Sequence, residues 1–89
     1  MMSEETRPHR VKRLHMRSIR RGIKEMDLIL TAYAEGPLPN LDDAGLELYD
    51  ALLNENDHDL YQWVTGQVAA PAQYGAMIGD IRDNFSPLG

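Results

Sequence analysis

Apolar residues recur at three- and four-residue steps along most of this chain, and that period predicts helices. The clearest row is Ile23, Met26, Leu30 and Tyr33, widened by Leu28 and Ile29, which predicts a helix over 22–35. Gly36-Pro37-Leu38-Pro39 ends it, because a glycine and two prolines cannot continue a helix. Upstream, Val11, Leu14 and Ile19, with Met16 beside them, place a thinner stripe on a basic helix over 9–20, which Pro8 is suited to open.

Beyond the prolines, Asp42 is placed to cap a third helix running to about Asn54, with Leu41 stapled against Leu46 and with Leu46, Tyr49, Leu52 and Leu53 as its buried face. Asp57 is placed to cap a short fourth helix bearing Leu60, Tyr61, Trp63 and Val64, which Gly66 ends. Pro71 is placed to open a fifth, with Tyr74, Met77, Ile78, Ile81 and Phe85 as its apolar row. No stretch alternates with period two and no hairpin turn occurs, so the expected fold is all-α: one domain over 1–89, a bundle of five short antiparallel helices, frayed over 1–8.

Length sharpens this picture. A chain of 89 residues buries only about 60–65% of its unfolded surface, too little to wall a deep cavity. Function is then expected on the surface. With no cysteine, disulfides, thiolate metal sites and nucleophilic thiols are excluded together. The run free of charge from Leu28 to Ala34 is too short to span a bilayer, so no membrane partner is expected.

Charge divides the chain. Of nine Lys and Arg, all but Arg82 lie between Arg7 and Lys24, and of fourteen acids, all but Glu4 and Glu5 lie from Glu25 onward. A cationic end on an acidic body is a statement about partners and not about fold. It motivates one reading as a nucleic-acid-binding or antitoxin-like regulator, but the acidic remainder would be repelled by phosphate, and no nucleic-acid partner is expected.

No catalytic set stands out, and the chain is not expected to be an enzyme. Ser18 lacks a Gly-x-Ser-x-Gly elbow, and no phosphate loop or paired metal-binding histidines occur. His9, His15 and His58 read as solvated surface residues, Asp57 and Asp59 as capping and first-turn acids, and Tyr49, Tyr61 and Trp63 as core. The stretch Arg20-Arg21-Gly22-Ile23-Lys24-Glu25-Met26-Asp27 is different. An Arg21–Glu25 pair at i, i+4 accounts for the charges at about 0.3–0.5 kcal/mol. It leaves Gly22 unexplained, since a glycine near a helix start costs up to about 1 kcal/mol unless a tight turn or a close approach requires it.

Arg21, Gly22 and Glu25 form an Arg-Gly-x-x-Glu motif, extended by Asp27 and preceded by Arg17-Ser18. With the later blocks Leu48-Tyr49-Asp50-Ala51-Leu52-Leu53 and Asp57-His58-Asp59-Leu60-Tyr61-Gln62-Trp63, the chain resembles the succinate dehydrogenase assembly factors, or flavinator proteins, over roughly Arg13 to Trp63. The resemblance implies a five-helix bundle that binds the flavoprotein subunit of succinate dehydrogenase, and in some bacteria of fumarate reductase, and promotes covalent attachment of FAD to it. FAD is then the client's cofactor and is not bound tightly by this chain. The implied partner-binding residues are Arg21, Gly22 and Glu25, with Arg17, Arg20 and Asp27 around them. Glu4 and Glu5 do not suit a transit peptide, so a bacterial, cytoplasmic member is expected.

Overall fold

The computed structural model describes residues 5–85, all of them in helices, 3-10 turns and connecting segments, with no strand. Five α-helices follow one another: α1 (Arg7–Ser18), α2 (Lys24–Glu35), α3 (Asp43–Leu52), α4 (Asp57–Thr65) and α5 (Gly75–Phe85). The all-α bundle expected from periodicity is the one observed.

Three of the five helices, α1, α3 and α4, begin where a side chain satisfies a free amide. The Thr6 side chain accepts from the His9 amide at the start of α1, where Pro8 needs no partner for an amide it lacks. Asp42 caps α3 by accepting from the Gly45 amide at 2.7 Å. Asn56, not Asp57, caps α4, accepting from His58 at 2.8 Å. Gly66, at φ 84°, ends α4 in the left-handed conformation that a residue without Cβ adopts freely. Pro71 precedes a 3-10 turn over Ala72–Tyr74, and α5 starts only at Gly75. Fraying over residues 1–8 is limited at its inner end: residues 1–4 lie outside the described part, Thr6 caps, Glu5 binds Arg13, and α1 already starts at Arg7.

The central helix is α2, which packs on α1, α4 and α5 and buries Met26, Ile29, Leu30, Tyr33 and Ala34. Facing residues complete one core: Leu14 from α1, Leu46, Tyr49 and Leu52 from α3, Leu60 from α4, and Ile78 and Ile81 from α5. The Tyr33 and Tyr49 rings meet at 5.4 Å. Tyr49 is sealed among apolar groups, and burial pushes its phenol up to about 12 even though it hydrogen-bonds to Ser18. Ser18 is the one buried polar side chain among the described residues; its Oγ donates to the Leu14 carbonyl at 2.8 Å and accepts from the Tyr49 hydroxyl at 2.6 Å.

Four residues expected in the core are not. Leu28 is 55% exposed and Phe85 44% exposed, because each lies on the outer edge of its helix's stripe. Tyr61 and Trp63 are only partly buried, and Trp63 is stacked on Tyr74 at the surface of the core. In so small a body the interior is filled by Leu60 and Val64 from the same helix.

Candidate functional site

The motif does not sit on one helix. α1 stops at Ser18, Ile19 is extended, and α2 starts only at Lys24, so Arg20, Arg21 and Gly22 form the turn between them. The expected helices over 9–20 and 22–35 both reach too far into this turn. Arg20 has φ 59°, a left-handed conformation that costs a side-chain-bearing residue about 1–2 kcal/mol. Its amide donates at 3.0 Å to Asp27 Oδ1, the same oxygen that accepts from Thr31. Asp27, in the first turn of α2, thus holds the strained turn from inside the motif.

Arg21 does not pair with Glu25. Its Nε donates to Asp57 Oδ1 at 2.7 Å, Nη1 to the Arg17 carbonyl at 2.9 Å and Nη2 to the Leu53 carbonyl at 3.2 Å. The other Asp57 oxygen accepts from the Gly22 amide at 2.7 Å. The Arg21 and Asp57 side chains are only 12% and 20% exposed. The guanidinium therefore clamps the α1–α2 turn to the end of α3 and the first turn of α4. Its planar fork serves three internal acceptors and is not held out toward a partner.

This arrangement accounts for Gly22. A Cβ there would lie 3.0 Å from Asp57 Oδ2, and that oxygen cannot swing away without losing its own bonds. The glycine is exposed, so its backbone is bare on the outer side as well. Glu25 and Lys24 are also exposed, and among the described residues Glu25 forms no ion pair. The six residues named from sequence thus divide. Arg21, Asp27 and Arg17 point into the fold, while the Arg20 side chain, Gly22 and Glu25 face outward.

Arg17 belongs to a second ionic layer. It donates to Asp50 Oδ1 and to Asn54 Oδ1, while Arg13 donates to Asp50 Oδ2 at 3.0 Å and to Glu5 at 2.7 Å. Burial would raise the Asp50 carboxyl, but hydrogen bonds and charge from Arg13 and Arg17 outweigh it and hold it below the usual carboxylate range. Arg7 reaches Asp43 and the Pro39 and Leu41 carbonyls. Four of the eight cations of the basic segment, Arg7, Arg13, Arg17 and Arg21, are thus paired with acids of α3 and α4, which weakens the nucleic-acid reading.

Asp57, Asp50 and Leu53 were not legible as parts of this site. Asp57 has the identity and position of a helix cap, and no spacing rule links it to an arginine 36 residues earlier. Among the described residues no group of acids and histidines suits a metal ion, and no helix is long and apolar enough to cross a membrane.

The motif thus turns its arginine inward under a bare glycine and leaves an exposed glutamate beside it. The model of a family described as flavinator of succinate dehydrogenase matches residues 12–85. The chain belongs to this family. The match runs past Trp63 through α5, so the tail carries more of the flavinator fold than the sequence blocks suggested. Relatives include succinate dehydrogenase assembly factor 2 of Meyerozyma guilliermondii, 46% identical over 61 residues, which are 68% of this chain and 45% of that protein. Another is its namesake in Schizosaccharomyces japonicus, 37% identical over 86 residues, 94% of this chain and 60% of that one. The Drosophila grimshawi protein is 40% identical over 67 residues, 73% and 46% of the two chains.

The chain thus spans less than two thirds of the length of these relatives. All three are named as assembly factors and not as enzymes, and all three as mitochondrial. Those names overturn the expectation of a cytoplasmic flavinator. A targeting segment is removed from the mature protein and is no part of the fold, so the residues of the domain are no guide to compartment.

Proposed function

We propose that this chain binds the flavoprotein subunit of succinate dehydrogenase, and by the same surface the related fumarate reductase flavoprotein, and promotes covalent attachment of FAD to it. The observation that carries the reading is the division of the family motif. Arg21 and Asp57 fix the turn from inside, and this presents the bare Gly22 backbone between Arg20, Lys24 and Glu25. A client backbone can approach closely at Gly22. Glu25 offers a carboxylate to a basic group, and the cations suit a client site that holds an anionic cofactor.

FAD stays on the client in this reading. Among the described residues one cleft of about 390 Å³ is lined mainly by apolar side chains, and another of about 570 Å³ carries Asp80 and Asp83, which would repel the pyrophosphate of FAD. The chain's own part is to hold the client in an attachment-competent arrangement, and the flavin supplies the reactivity.

Deleting the gene and measuring in-gel flavin fluorescence of the denatured flavoprotein subunit tests this. The fluorescence is expected to fall to a small fraction and to return with the wild-type gene but not with Glu25→Ala. Full flavinylation in the deletion strain would refute the reading.

A further inference from the structure

Beside the motif turn, α2, α4 and α5 enclose an open groove of about 390 Å³. Tyr61 and Val64 of α4 line it, and Leu28 and Phe85, 55% and 44% exposed, also border it. Exposed apolar side chains mark a contact surface where they are contiguous and rimmed by polar groups, as they are along this groove. Two charges complete the lining, Glu25 from α2 and Arg82 from α5, and among the described residues neither enters an ion pair.

We propose that this groove seats an apolar side chain of the flavoprotein client, carried on a segment that also brings a cation to Glu25 and a carboxylate to Arg82. The proposal rests on the client-binding reading above and extends it from the turn to a second, apolar contact. Charge complementarity defines the occupant: an apolar anchor between a positive and a negative group, matching a groove that offers the opposite signs. Glu25 belongs to both the motif and the groove, so one client segment can run across the two without a break. A second copy of this chain fits less well. Its body is acidic, with a net charge of −5 per chain, and two concave faces cannot fill each other.

The absence of native cysteine allows a direct test. Leu28→Cys and Phe85→Cys each place one thiol beside the groove, and Val68→Cys, at a position 45% exposed and outside the groove lining, serves as the reference. Each variant is first checked for a wild-type melting curve. Its rate of maleimide labelling is then measured alone and in complex with the purified succinate dehydrogenase flavoprotein subunit. Both groove thiols are expected to react readily in the free protein and at least tenfold more slowly in the complex, with Val68→Cys unchanged.

Equal rates at either groove thiol in free and bound protein would overturn the groove assignment while leaving client binding intact. Slow labelling already in the free protein would also overturn it. A dependence on protein concentration would then identify a second copy as the occupant, and independence would identify another part of the same chain. Failure of the wild-type chain to form any complex would overturn the client-binding reading and this assignment with it.

Discussion

Replacing Arg21 by alanine separates a clamp from a surface salt bridge. The substitution removes three hydrogen bonds at once and leaves the Asp57 carboxylate, 20% exposed, without its cation. Bonds that involve a charged group contribute about 1.5–3 kcal/mol each, and breaking a fully buried pair costs about 3–5 kcal/mol. Asp57 keeps the Gly22 amide and some access to water, so a loss of about 2–4 kcal/mol is expected. For a domain of this size that lowers the melting temperature by about 10–25 °C. Glu25→Ala should change stability by no more than about 0.5 kcal/mol, since its side chain is exposed and unpaired among the described residues. Two double-mutant cycles, read by urea unfolding and thermal circular dichroism, check the assignment. Arg21 with Asp57 should show a coupling of about 1–3 kcal/mol, and Arg21 with Glu25 none beyond error. An Arg21→Ala variant as stable as the wild type, or a coupling that runs to Glu25, would refute the clamp and restore the i, i+4 bridge.

Asp50 has its carboxyl held below the usual range, so its contribution to stability is present above the unfolded value near pH 4 and is lost as pH falls through the lower folded value. Acid titration of Asp50→Asn should accordingly show a flatter loss of stability in that window than the wild type. Tyr49 shifts the other way: its folded value of about 12 lies above the unfolded value near 10, so stability should fall as pH rises above about 10. Tyr49→Phe should reduce that alkaline dependence, measured by melting temperature against pH, the remainder coming from Tyr33, whose phenol burial also pushes up. Trp63→Ala should cost about 2–3 kcal/mol, less than a fully buried aromatic, because the ring is partly exposed and stacked on Tyr74 at 6.0 Å. A loss of 4 kcal/mol or more in urea unfolding, the upper end for about full burial, would place it in the core after all.

The sequence by itself determined what depends on neighbours along the chain. Caps at Asp42, the stop at Gly66, the proline breaks and the three- and four-residue rows act within a turn or two, so helix number, order and most of the interior were legible from them. Motif membership was legible too, because identity and spacing are themselves sequence properties. Only the tertiary structure decided what the motif does with its residues. Arg21 was free to pair with Glu25 four positions on, yet it turns toward Asp57, whose carboxylate also takes the Gly22 amide. The break at Arg20 was equally hidden, since a left-handed arginine is tolerated only where Asp27 returns to hold its amide. Leu28 and Phe85 belong to the same apolar rows as their buried neighbours and stay exposed because, among the described residues, no helix covers that edge. A hydrogen bond to a shielded charge is worth several times an exposed pair, and shielding is created by which helices meet, a property of the assembled bundle that no local pattern carries.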